Sequence, residues 1–86
     1  MKTILEFPFY VTDMVILRVP TGARFLPFVH ALNPQLEVWA EGDTAAPFES
    51  RTLRVIGTGN PLPDVAMDYL GSAVTPPFVW HVYADR

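Results

Sequence analysis

Two stretches of this chain carry the residue types that could do chemistry. The first is Arg51-Thr-Leu-Arg-Val-Ile-Gly-Thr-Gly-Asn60, an apolar segment flanked by two arginines that runs into a glycine turn. The second is Phe78-Val-Trp-His-Val-Tyr83, which sets a Trp and a His side by side. Between them they offer guanidinium groups, accessible backbone amides, an aromatic face and one imidazole. These are the parts of a pocket for an anionic, ring-containing ligand. Glycine permits backbone conformations that bring successive amides together as an anion-binding nest. Thr58 and Asn60 add a hydroxyl and a carboxamide to Gly57 and Gly59. The ligand-binding candidates are therefore Arg54, Gly57, Thr58, Gly59, Asn60 and Trp80. The competing reading is structural: a strand-ending turn, and aromatic residues that belong to a core.

The chemistry that is missing narrows the field. No Gly-Lys-Ser/Thr follows the glycine turn and no long helix opens there, so neither a P-loop nor a dinucleotide fingerprint is present. Ser50 and Ser72 lack the context of a nucleophile elbow, and no Ser/His/Asp arrangement stands out. Two His and scattered carboxylates show no metal-ligand spacing, and the chain has no Cys. The expectation is a protein with no catalytic residues, no metal and no cofactor, one that works by binding.

Alternation along a strand limits how the candidates can meet. Arg51 and Arg54 are three apart, so they point to opposite faces, as do the neighbours Trp80 and His81. One arginine is expected to pair with Glu49 or Glu41. Arg54, nearer the glycine turn, is the one left for a ligand. Trp39 would stack on a ligand or pack against Trp80, and His81 and His30 read as hydrogen-bonded core residues. A site built this way closes only if a neighbouring strand or subunit completes it.

The elements that must position these residues follow from nine prolines in 86 residues. No long helix survives that spacing. The segments between prolines are rich in Val, Ile, Leu, Phe, Trp and Tyr, which suit strands. Strands are predicted over Thr3–Phe9, Met14–Val19, Ala23–Ala31, Leu36–Glu41, Arg51–Ile56, Tyr69–Val74 and Phe78–Tyr83. Gly42–Ser50 reads as a loop, and Pro63–Asp68 as at most one helical turn, with Asp64 capping it or solvated. About seven short strands with frequent turns predict a single all-β domain over residues 1–86, an antiparallel sandwich or small barrel.

Half of the residues are hydrophobic and 17 % are charged, against about 25 % charged in an average soluble domain. Met14–Leu17, Phe25–Val29 and Phe78–Val82 are apolar on both faces, and a strand buried on both sides needs cover on both sides. This predicts a homo-oligomer. The net charge of −3 argues against general nucleic-acid binding, which needs a basic face. Glu6 and Pro8 interrupt any signal-peptide core, and no apolar run approaches the ~18 residues of a membrane span. Absence of Cys fits the cytoplasm.

Lys2-Thr-Ile4, Thr12-Asp13, Pro20-Thr-Gly-Ala23, Trp39-Ala40, Arg51-Thr-Leu-Arg-Val-Ile-Gly-Thr-Gly59, Tyr69-Leu-Gly-Ser72 and Phe78-Val-Trp-His-Val-Tyr83 occur in that order. In this the chain resembles a family of small proteins of unknown function from tailed phages and prophages. The Gly-Thr-Gly and Val-Trp-His-Val segments are the most specific parts of the resemblance. Members of that family often carry His after Gly-Thr-Gly, where this chain has Asn60. The resemblance implies a phage origin, a location in the cytoplasm of an infected bacterial host, and a β-rich fold; it implies no activity. Three functions are compatible with it, of which the first is the expected one and the other two are alternatives. The first is counter-defence by sequestering a nucleotide-type immune signal in pockets between subunits. The second is inhibition of a host defence protein through an exposed apolar edge. The third is a minor role in the virion or its assembly.

Overall fold

The computed structural model describes residues 1–86. It contains seven strands: β1 (Lys2–Tyr10), β2 (Met14–Pro20), β3 (Arg24–Ala31), β4 (Gln35–Asp43), β5 (Phe48–Gly57), β6 (Met67–Thr75) and β7 (Phe78–Asp85). They form two antiparallel sheets, β1-β4-β3 and β2-β5-β7-β6. The sandwich is thin, with extents of 40 × 28 × 17 Å. No helix forms.

Most predicted strands occur within one or two residues of their expected ends. Two expectations are corrected. The loop placed at Gly42–Ser50 shrinks to residues 44–47, because β4 and β5 each extend into it. Phe48 and Ser50 pair with Pro20 and Arg18 of β2, and Thr21 donates to the Pro47 carbonyl through both its amide and its hydroxyl. The helical turn at Pro63–Asp68 is absent: Pro61 to Ala66 is irregular and β6 starts at Met67. Asp64 therefore caps nothing and is exposed, its other reading.

Alternating residues from the two sheets meet in the core. Phe9, Leu36, Val38, Ala40, Phe25 and Val29 face Val19, Leu53, Val55, Leu70, Ala73, Val82 and Ala84. The outward residues of the same strands stay apolar and uncovered in the single chain. Met14 and Ile16 on β2 are 49 % and 61 % exposed, and Ile4, Phe28, Tyr69 and Val74 are also exposed.

One corner of the sandwich nearly closes. β3 and β6 are edge strands of different sheets, and each carries a register irregularity where they meet, between Phe25 and Val29 and between Tyr69 and Gly71. A Cβ on Gly71 would lie 3.1 Å from Val29 Cγ2 and 3.3 Å from the Val29 backbone nitrogen. The missing side chain lets the two edges touch. Gly71→Ala is expected to push them apart and cost about 1–3 kcal/mol, the range for overpacking, measurable as a lower midpoint in urea unfolding. An unchanged midpoint would show that the corner is loose.

Candidate functional site

β5 is longer than the strand beside it. The β2–β5 ladder begins at Met14 opposite Arg54, yet β5 continues to Gly57. Beyond Arg54 the only bond on that side is from the Val55 amide to the Asp13 carbonyl, 3.1 Å. Along a strand, alternate residues send both backbone polar groups to the same side. The Thr58 amide donates to Val79 of β7, so Ile56 and Arg54 face β7, and Val55 and Gly57 face the side that β2 has vacated. The Gly57 carbonyl accepts from the Asn60 amide, 3.0 Å, which closes the turn. The Val55 carbonyl and the Gly57 amide are left without a partner in the protein.

These two groups open onto a groove of about 600 Å³. The β1–β2 turn (Val11, Thr12, Asp13) forms one wall and Asn60-Pro-Leu-Pro63 the other. Trp80 lies against Gly57: a Cβ there would meet Trp80 Cζ3 at 3.3 Å and Asn60 Nδ2 at 3.0 Å. The indole is held by a bond from Nε1 to Thr75 Oγ1, 2.8 Å, and by stacking on Phe78 with centroids 5.2 Å apart. Any side chain at position 57 would therefore push the Asn60 carboxamide or the Trp80 ring aside. Gly59, at φ 91°, needs the left-handed region instead.

Arg54, Gly57, Asn60 and Trp80 line this groove together. Thr58 and Gly59 do not. Thr58 turns to the other side of β5, where its Oγ1 is 2.8 Å from His81 Nε2. The pairing expected for the arginines is corrected. Arg54 forks Asp85 through Nε and Nη2, at 3.0 and 2.9 Å, because Asp85 sits two residues beyond Tyr83, its cross-strand partner. Glu41 pairs with Arg24 at 2.8 Å. Arg51 turns inward, donates to the Ala23 carbonyl at 3.2 Å and lies 5.2 Å from the Phe25 ring centroid. Trp39 lies on the opposite sheet from Trp80 and contacts Phe28 and His30. Neither His is a core residue; both sit on outer faces and are hydrogen-bonded there.

The fork sets the electrostatics at the groove's end. Hydrogen bonding from Arg54 holds the Asp85 carboxyl below the usual carboxylate range, and Asp85 in turn raises the guanidinium pKa. A carboxyl with a depressed folded-state pKa contributes stability that is present above its unfolded value, about 3.9, and lost as pH falls through the lower folded value. Asp85→Asn is therefore expected to lower the melting temperature at neutral pH. The gap should close below about pH 4, in a series of melts from pH 7 to pH 2. A gap independent of pH would assign the loss to packing. Asp13 adds a second carboxylate to the groove, so the guanidinium does not leave it positively charged.

The sequence reading missed one cluster, on the outer face of the four-stranded sheet. Ser72 Oγ lies 2.7 Å from His81 Nδ1 and also contacts the Tyr69 hydroxyl, so Tyr69, Ser72, His81 and Thr58 form one chain of hydrogen bonds. The β6–β7 register, which sets Ser72 opposite His81, is the signal that would have found it. Both imidazole nitrogens face hydroxyls. No carboxylate orients the ring or supports an imidazolium, as a nucleophile–base pair needs. No group of three or more His, Asp or Glu is placed to hold a metal.

No curated protein and no solved structure matches the chain. A family model described as a domain of unknown function (DUF7352) matches residues 1–86, the whole length that builds the groove and both sheets. The chain therefore belongs to the DUF7352 family.

Proposed function

We propose that this protein acts by binding, and that it docks an extended segment of a partner protein along the open edge of β5. The unpartnered Val55 carbonyl and Gly57 amide, side by side in an apolar groove, are the observation that supports this reading. An added strand satisfies one acceptor and one donor spaced by an intervening residue, and alternate side chains of the segment fill pockets beside it. Trp80, Val11 and Leu62 supply such a pocket. The arginine meant for a phosphate is already forked by Asp85.

The resemblance to phage and prophage proteins extends the proposal. The partner segment belongs to a host defence protein in an infected cell, and docking inhibits it. Self-association that covers Met14 and Ile16 is part of the same reading, and sedimentation would give its stoichiometry.

A library of displayed peptides supplies the probe. Peptides selected against the protein should bind as extended strands and slow hydrogen exchange at the Gly57 amide, which lacks an internal bond. N-methylation of the peptide residue whose amide donates to the Val55 carbonyl should abolish binding. Selected peptides that leave Gly57 exchange unchanged would remove the reading. A nucleotide that raises the melting temperature and shifts the Trp80 indole signal would replace it with ligand sequestration, for which Trp80 and the Asn60 carboxamide are the supporting contacts.

A further inference from the structure

The outer face of the three-stranded sheet carries an arrangement that the groove does not use. Along β4, Glu37, Trp39 and Glu41 fall on one face, and β1 places Glu6 directly opposite Trp39. Three carboxylates thus surround one indole. Arg24 neutralises Glu41; Glu37 has His30 as its one basic neighbour, and no protein cation pairs with Glu6. Glu37 is only 8 % exposed although it lies on an outer face. His30 Nδ1 contacts its Oε1 at 2.9 Å, and Oε2 has no hydrogen-bond partner in the protein.

A strand irregularity aims the remaining aromatic residue at this spot. In the β3–β4 ladder Phe25 pairs with Ala40 and Val29 with Val38, so Leu26, Pro27 and Phe28 together face Trp39 alone. Pro27 has no amide to give the ladder, and the surplus residues bulge outward, a common way for a strand to redirect a side chain. Phe28 comes to rest 5.5 Å from Trp39 and 6.5 Å from His30, centroid to centroid, and is 57 % exposed. The three rings lie within 36° of parallel.

We infer that this face is a docking site for an arginine side chain of a partner protein. The charge around the rings is negative and only partly neutralised, so the complementary group is a cation. Phe28 and His30 are near-parallel and Trp39 tilts 36° to both, so the rings present open faces that suit a flat cation stacked on them, whereas a spherical ammonium is best held by a cage of steeply inclined walls. A guanidinium stacks on aromatic faces and forks carboxylates, and here both kinds of partner are adjacent. The face is open and flat, so it takes a projecting side chain of a larger surface. It lies on the sheet opposite the β5 groove and stands or falls independently of it.

The test uses N-acetylarginine amide as probe and the neutral isostere N-acetylcitrulline amide as control, followed by the Trp39 indole N–H signal in an NMR titration. Trp39→Phe identifies that signal against Trp80. The arginine compound is expected to bind roughly three- to tenfold more tightly than the citrulline compound, the size of an exposed cation–π contact with a nearby charge. The advantage should shrink on raising salt to about 0.5 M. Glu6→Gln, at an exposed position, should lower arginine affinity without affecting the fold, and Glu37→Gln should do the same. Equal binding of arginine and citrulline, or undiminished binding in both Gln variants, would overturn the inference. N-acetyllysine amide binding as well as the arginine compound would overturn the assignment to a guanidinium.

Discussion

Leu53→Ala is expected to cost about 2–5 kcal/mol, the range for deleting a buried leucine side chain, and to leave a substantial unfolded population at 37 °C. Leu53 is fully buried. It sits mid-way along β5, opposite Val15 of β2 and Ala84 of β7, so its cavity would open where three strands depend on it. Native domains hold roughly 0.05–0.15 kcal/mol per residue, about 4–13 kcal/mol for a chain of this size. The loss is thus a large share of the total. Ile16→Ala provides the contrast. Ile16 is equally apolar and on the neighbouring strand, but it points outward and is 61 % exposed. Its removal should change stability by no more than about 0.5 kcal/mol. Urea midpoints of the two variants separate the faces. A large loss at Ile16 in a concentration-dependent melt would show that a second copy covers that face.

Gly57→Val should reduce binding of a groove-selected peptide at least tenfold while the fold persists. The new side chain would enter the space now shared by the Asn60 carboxamide and the Trp80 ring. It would therefore fill the groove from below and displace the wall. Valine is a better strand former than glycine. Gly57 is not among the glycines held at positive φ, so the backbone tolerates the change. Leu62→Asp, on the far wall and exposed, is a second probe that leaves Trp80 in place, and it should weaken the same peptide by burying a charge in an apolar contact. Calorimetric titration of both variants, with the melting temperature as a control on folding, decides the matter. Full affinity in both would mean that the peptide binds elsewhere.

Much of the architecture was legible in the order of residues. Proline spacing excluded long helices, and the β-branched and aromatic residues between the prolines located all seven strands, because such side chains suit an extended, half-buried backbone. Alternation separated Arg51 from Arg54 and Trp80 from His81. It could not say which side of each strand was core. His81 and His30 look interior by their apolar neighbours, yet both face outward, since a sheet residue's burial depends on the opposite layer and not on its sequence neighbours. The Asp64 cap failed for a related reason: a single turn of helix has too few internal bonds to form without tertiary support.

The groove belongs to the tertiary structure. Residue order alone specifies an all-β chain and a glycine turn after an arginine-flanked strand. Only pairing decided that β2 stops opposite Arg54 while β5 runs on to Gly57, which frees one backbone donor and one acceptor beside Trp80. Only pairing, too, set Asp85 within reach of Arg54, since strands distant in sequence choose their register through long-range packing. The cation expected for a ligand is held by a carboxylate 31 residues away. What remains available at the site is the strand edge itself.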